Sequence, residues 1–282
     1  EDLLNVQVTS VAKKAQSLND APAAVFVISN EDIKRSGATS IPDALRLAPG
    51  LDVARIDANK WAVSSRGFNG RLANKLLVLI DGRSAYTRTF AGVYWENQDV
   101  MMEDVDRIEV IRGPGAPLWG ANAVNGVINI ITKHSSKTQG ALLNAGGGDQ
   151  ERGFGSFRYG TKLAKDTTAR VYVKGFNRKE NTLLSGSGAG DDWSKVQGGF
   201  RLDSQLTLKD TLTFQGDIYK ANINQLSYYP QVTSPYRVTE NDATSTYGGN
   251  LLSRLQHTFS PTSDYYLQLY YDTYTRNEVP LY

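Results

Sequence analysis

The side chains best suited to chemistry are aromatic and cationic. Ser84–Asp99 reads SAYTRTFAGVYWENQD, which puts Tyr86, Arg88, Phe90, Tyr94 and Trp95 into one irregular stretch. A shorter polar stretch, Asp57–Trp61, carries Asn59 and ends on Trp61. Aromatic faces beside a guanidinium suit a flat or chelated ligand, because the rings cover apolar surface and their faces attract cations. Tyr94 and Trp95 better suit packing against a barrel wall or inside the domain's own core. Further along, Tyr228, Tyr229, Tyr236 and Arg237 lie in a polar run. They are candidates for a first ligand contact or are solvated loop residues.

This is binding chemistry. Cysteine is absent, which removes disulfides and thiol catalysis, and the two histidines, His134 and His257, do not make a zinc site. No nucleophile–base pair or metal cluster stands out to argue for catalysis, and no cofactor or metal is expected. A net charge of +2 gives no general attraction to nucleic acid. Arg66 and Arg112 each precede a glycine. A buried guanidinium needs a carboxylate, since an unpaired buried charge is costly; Glu109 and Asp106 are candidate partners nearby.

The elements that must position these groups fall into two kinds. Up to residue 137 the chain reads as a small α+β domain with a mixed β-sheet. Ala24–Ile28, Leu51–Ile56, Ala62–Arg66, Leu76–Ile80, Ile108–Ile111 and Val127–Ile131 are apolar or β-branched runs of strand length. Ser29 with Asp32, and Ser40 with Asp43, are helix-start signals; they predict helices over Glu31–Ser36 and Pro42–Ala48. Asp81-Gly82 marks a tight turn. Between the last two strands lies a path dense in Gly and Pro, including Gly113, Pro114, Gly115, Pro117 and Gly120. The first twenty residues are polar around a β-prone core, Val6-Gln7-Val8-Thr9-Ser10-Val11, and read as an extended leading segment.

From residue 138 the pattern has period two. In Thr211–Tyr219, Leu212, Phe214, Gly216 and Ile218 oppose Thr213, Gln215, Asp217 and Tyr219. Seven strands are predicted, at about 139–147, 153–163, 168–178, 194–208, 210–222, 246–259 and 264–276. Tight turns alternate with two long polar loops, 179–193 and 223–245. No apolar run reaches the roughly 18 residues that a membrane helix needs, whereas strands of about 9–11 residues cross a bilayer at a tilt. Short turns at one end and long loops at the other suit a transmembrane β-barrel; a soluble β-sandwich also alternates.

Named motifs add a resemblance. Ser-Ile-Pro-Asp-Ala-Leu (40–45), Pro-Gly-Leu (49–51), Arg-Gly-Phe-Asn (66–69), Leu-Val-Leu-Ile-Asp-Gly-Arg (77–83), Asp-Arg-Ile-Glu-Val-Ile-Arg-Gly-Pro (106–114), Leu-Trp-Gly (118–120) and Gly-Val-Ile-Asn-Ile-Ile-Thr-Lys (126–133) resemble, in order, the plug domain of TonB-dependent outer-membrane receptors. Trp119 stands where that family usually has Tyr, and Asn125 where it often has Gly.

The resemblance implies an N-terminal TonB-interacting segment (1–20), a plug (21–137) and the first strands of a transmembrane barrel (138–282) in the outer membrane of a Gram-negative cell. It implies Val6–Val11 as the segment that pairs with TonB by strand addition, though an ordinary leading strand or linker fits the same residues. Arg66, Glu109 and Arg112 become plug–barrel docking residues. Asn59, Trp61, Tyr86, Arg88, Phe90, Trp95, Tyr228 and Tyr229 become ligand contacts. The partners implied are TonB with its inner-membrane energising complex, outer-membrane lipid and a scarce small ligand, most commonly a ferric siderophore; haem, cobalamin and oligosaccharide stay open. Barrels that enclose a plug have about 22 strands, so seven read as the first part of a longer protein. The competing readings are a passive plugged porin or adhesin, and a soluble binding protein.

Overall fold

The computed structural model describes residues 7–8, 16–17, 24–113, 119–120, 122–260 and 263–278. Val6, Thr9, Ser10 and Val11 lie outside the described residues, as do Pro114, Gly115, Pro117 and Leu118. The chain forms two compact units. One comprises residues 1–56 and 60–133; the other comprises 57–59 and 134–282. Three residues of an early loop thus group with the later unit.

In the first unit β1 (Gln7–Val8) pairs antiparallel with β2 (Gln16–Ser17), and Val8 is fully buried. After β3 (Ala24–Ser29) comes α1 (Asn30–Ser36). Ser29 caps it: its hydroxyl accepts the Asp32 N–H while Asp32 accepts the Ser29 N–H at 2.9 Å. Gly37 ends it in the left-handed region at φ 69°, where a side chain would be strained. α2 (Ile41–Leu45) starts at Ser40 as expected but ends three residues before the predicted Ala48. The chain then tightens into turns ahead of Pro49 and Gly50, which cannot continue a helix.

β4 (Leu51–Arg55) and β5 (Trp61–Ser65) form a separate antiparallel pair. The main sheet has five strands in the order β3, β8 (Val105–Arg112), β9 (Gly126–Thr132), β6 (Leu76–Ile80) and β7 (Arg83–Ser84). It is mixed, because β6 runs parallel to β9 while the other pairs are antiparallel. Ile28, Ile108, Val110, Ile128 and Ile130 are completely buried along its centre. Each such side chain contributes roughly 1.5–3 kcal/mol relative to exposure. The Asp81-Gly82 turn has φ 51° and 81°, as a two-residue hairpin requires. Buried Asp81 does a second job: its carboxylate accepts the Thr132 N–H and the Thr132 hydroxyl, both at 2.8 Å. One residue on, the Lys133 ammonium donates to Asn30 Oδ1 at 2.9 Å and the Glu103 carbonyl at 2.7 Å. The end of β9 is thus tied at two points.

The second unit is one seven-stranded antiparallel sheet whose spatial order follows the chain: β10 (Gly140–Gly146), β11 (Glu151–Ala164), β12 (Thr167–Arg178), β13 (Trp193–Gln205), β14 (Asp210–Pro230), β15 (Arg237–Ser260) and β16 (Ser263–Asn277). One expectation needs correction. The run 223–245 is mostly paired strand: β14 and β15 stay in register out to Pro230 opposite Arg237, leaving a connection of residues 231–236. Polar side chains on both faces there, such as Gln225, Asn241 and Glu240, erase the apolar alternation by which the sequence shows its other strands.

The sheet is apolar on its exposed face and charged on its buried face. Leu143, Phe157, Val173, Val196, Ile218, Leu251 and Leu269 are exposed, while Arg158, Arg170, Lys195, Gln197, Arg201 and Asp203 on the alternate positions are buried. Registers such as Leu143–Phe157–Val173 and Leu251–Tyr271 run the apolar positions across neighbouring strands. His257, Phe259 and Tyr265 cluster at one end of this face, with ring centroids 4.6–5.7 Å apart. Tyr247 lies on the same face nearer the other end of β15. From 257 to 247 the strand advances about 33 Å, which at a tilt of about 40° is near 25 Å, the height of a lipid-facing band between aromatic girdles.

Gly126 gives a test of the plug core. A Cβ there would sit 2.4 Å from the Ile111 carbonyl oxygen and 3.1 Å from Leu76 Cδ1. Gly126→Ala is expected to cost about 1–3 kcal/mol through overpacking. Pulse proteolysis of the receptor in denaturant should show cleavage in residues 24–133 at lower denaturant than for the parent protein.

Candidate functional site

The first unit presents its irregular loops on the turns between its strands. The loop after β7 folds back on itself through Thr87 N–H donating to the Gly92 carbonyl at 2.7 Å, with Ala91 at φ 53°. Gly92 is obligatory in this path, since a Cβ would meet the Phe90 ring and lie 2.8 Å from the Ala73 carbonyl. Phe90 meets Tyr94 edge-on at 4.9 Å, and the Arg71 guanidinium lies 5.9 Å from the Tyr94 ring while pairing with buried Glu96 at 3.2 Å. Arg88 stands exposed and Phe90 half-buried. An aromatic–cation arrangement therefore exists here, with Arg71 of the β5–β6 connection supplying a cation that the sequence reading passed over.

Beside it lies a cavity of about 340 Å³ lined by Ser64, Ser65, Gly67, Phe68, Gly70, Leu72, Ala73, Asn74, Lys75, Leu76 and Asn125. Arg66, Gly67 and Phe68 all have positive φ, at 63°, 86° and 57°, and Phe68 is 84% exposed. Two non-glycine residues in this region cost of order 1–3 kcal/mol each, the kind of strain that collects at functional loops. Positive φ leaves no clear mark in sequence, and only the glycines hinted at it.

The other singled-out residues take varied places. Tyr86 packs against the core cluster of Leu77, Leu79, Ile111, Ala123 and Val127, and its hydroxyl donates to the Leu76 carbonyl at 3.0 Å. Burial pushes its phenol up to about 12. Trp61 and Trp95 are buried, Trp61 with the Arg55 guanidinium 5.7 Å from its ring. Asn59 is completely buried in the second unit. Tyr228 is about half exposed, stacked under Arg237 at 4.6 Å, and the Tyr229 hydroxyl donates to Asp242; both tyrosines sit on β14 within the extended hairpin.

Of the residues expected to dock, Glu109 is fully buried and pairs with Arg107 at 2.8 Å, a neighbour that the sequence reading missed. Arg107 also reaches Asp106 at 2.8 Å. Arg112 donates to the Pro49 carbonyl at 3.4 Å and lies against Gly50, and Arg66 is exposed. Among the described residues there is no group of three His, Cys, Asp or Glu able to hold a metal, and no helix is long and apolar enough to cross a membrane.

With this geometry in hand, comparison with known proteins is direct. Residues 17–127 match the TonB-dependent Receptor Plug Domain family. The vitamin B12 transporter BtuB of Vibrio vulnificus (strain CMCP6) is 32% identical over 162 residues, covering 57% of this chain and 24% of that protein. The iron-regulated outer membrane virulence protein of Vibrio cholerae serotype O1 is 30% identical over 194 residues, covering 64% of this chain and 29% of that one. Among solved structures, the ferripyoverdine receptor of the outer membrane of Pseudomonas aeruginosa superposes with a TM-score of 0.75 at 17% identity, covering 95% of this chain and 36% of that chain. The ferric yersiniabactin uptake receptor FyuA from Yersinia pestis gives 0.69 at 15% identity, covering 90% and 41%. The chain belongs to the TonB-dependent outer-membrane receptors, as a plug domain followed by barrel strands. It spans 24–30% of the length of the curated relatives named here and of a second BtuB from Vibrio cholerae.

The Tyr86 environment yields a pH test. Its phenol holds its proton more tightly in the folded chain than in the unfolded one, so above the ordinary tyrosine value the unfolded state has lost a proton that the folded state keeps. That stabilising term is whole below pH 10, and stability falls as the pH rises from 10 towards 12. Tyr86→Phe, which loses one hydrogen bond worth about 1 kcal/mol, should flatten this fall in urea-melt midpoints measured between pH 9 and 12.

Proposed function

We propose that this chain is the plug and first barrel strands of a receptor that captures a scarce ligand, a ferric siderophore first among candidates, and imports it to the periplasm with energy transmitted by TonB. The observation that carries the reading is the joining of two structures in one chain. One is a plug with an aromatic–cation loop; the other is a strand unit with an apolar exposed face and a charged buried face. The fold likeness to siderophore receptors supports the iron side of the proposal, while the sequence likeness to cobalamin transporters supports the same kind of cargo handling.

In this reading Arg88 and Phe90 contact ligand on the plug loop, and Tyr228 with its stacked Arg237 makes contact on the β14–β15 hairpin. Tyr86 serves packing. The ligand is bound and released unchanged, and these residues hold it by ring contact and charge. Residues 1–20 supply the TonB-contacting segment.

The test is uptake of radiolabelled iron siderophore and of cyanocobalamin by cells expressing the whole receptor, with and without TonB. Iron-siderophore uptake that vanishes without TonB, or on deletion of residues 1–20 with binding retained, is the expected result. Uptake that persists in both cases contradicts the energised mechanism; cobalamin uptake in place of iron redirects the ligand. Arg88→Ala and Phe90→Ala are each expected to weaken ligand binding about tenfold, or about 1.4 kcal/mol, in fluorescence titrations.

A further inference from the structure

Residues 57–59 are set apart from the chain on either side. They pack within the second unit, whereas Ile56 and Lys60 belong to the first. The loop is closed at its base by the Ile56 N–H donating to the Lys60 carbonyl at 2.9 Å. Beyond that base, the Ala58 N–H donates to Asp191 Oδ2 at 2.8 Å. The Asn59 carboxamide donates both its hydrogens, to the Asp191 carbonyl at 2.8 Å and the Asn224 carbonyl at 3.0 Å. Ala58 and Asn59 are completely buried and Asp191 is 3% exposed.

Asp191 is itself held on both sides. Its Oδ1 accepts the Asn181 N–H at 2.7 Å, and its Oδ2 accepts Asn181 Nδ2 at 2.8 Å. The segment between Asn181 and Asp191 is closed by Ala189 N–H to the Asn181 carbonyl at 2.8 Å. Three N–H donors therefore converge on one buried carboxylate. Hydrogen bonds to an ionised acceptor are roughly twice as strong as neutral ones. Removing a buried acceptor leaves its donors unsatisfied, which costs more than the bond contributed. An amide in place of this carboxylate would turn an NH₂ towards N–H donors.

We propose that Asp191 is the positioning residue of the Asp57–Asn59 tip: its carboxylate holds the tip shut and keeps the Asn59 carboxamide spent on protein carbonyls. The Asn59 side chain then meets ligand only when Asp191 lets go. This rests on the ligand-capture reading above only for the use made of Asn59; the hold itself is tested without ligand.

The experiment is hydrogen–deuterium exchange with mass spectrometry on the whole receptor in detergent, following peptides that cover residues 56–61. In the parent protein the Ala58 amide is expected to be protected. Asp191→Ala and the nearly isosteric Asp191→Asn should both lose that protection, while peptides from β6 and β9 stay protected and report an intact plug. Asn181→Ala leaves the Ala58 bond in place and should keep the protection. Protection that survives in folded Asp191→Asn overturns the proposal, because shape and not the carboxylate would then hold the tip. Protection lost equally in Asn181→Ala also overturns it, because the whole 179–192 segment would carry the hold. Neither result depends on whether the receptor transports a siderophore.

Discussion

A strand that crosses hydrocarbon must have every backbone N–H and C=O paired, because no water is there to take them. The second unit follows from that demand. Its strands pair in unbroken sequence order over registers of up to 21 rungs, as between β14 and β15. Period-two side chains on such strands divide between two environments, and here the division is opposite to that of a soluble sheet. Leu143, Val173, Val196 and Ile218 are exposed, while Arg158, Arg170, Lys195 and Gln197 are buried. The cost of burying those charges is met by pairing, as with Arg201 and Asp203 at 2.8 Å.

The first unit obeys ordinary rules. Its sheet buries isoleucine and valine on a small scale, and individual polar groups secure what that small core does not. Asp81 and Lys133 are examples, each tying the exit of β9 to a part of the domain remote in sequence. With the strand ends fixed, the turns between strands carry strain without loss of fold. Arg66–Phe68 in the left-handed region and the Gly92 fold-back illustrate this. Those turns hold the aromatic and cationic groups on which the functional reading depends.

Much of this was legible in sequence where a local rule governs. Ser29 with Asp32 announced a helix cap, Asp81-Gly82 a hairpin, and Leu76–Ile80 a buried strand with its correct bounds. All seven strands of the second unit were visible through alternation wherever one face is apolar. Alternation fails where both faces are polar, so the continuation of β14 and β15 past Ile223 was invisible. Burial was harder still. Asn59 is polar and lies in a short loop, which reads as surface, but its burial comes from Asp191 and Asn224, more than 130 residues away. Tyr86 sits in an aromatic-rich loop and reads as a ligand group; the structure adds a partly buried ring packed on the core cluster, with its hydroxyl on the Leu76 carbonyl. Partners outside the loop itself set these environments, and no local pattern encodes them.

The central claim is that the exposed apolar face meets lipid. Spin labels placed singly at positions 266 to 272 of β16, in receptor reconstituted into vesicles, measure it through relative collision with oxygen and with a water-soluble nickel chelate. The account predicts a period of two, with oxygen favoured at Leu267, Leu269 and Tyr271 and disfavoured at Gln268, Tyr270 and Asp272. Equal access of the nickel chelate to both sets would contradict it, since a sheet wetted on both faces does not span a bilayer.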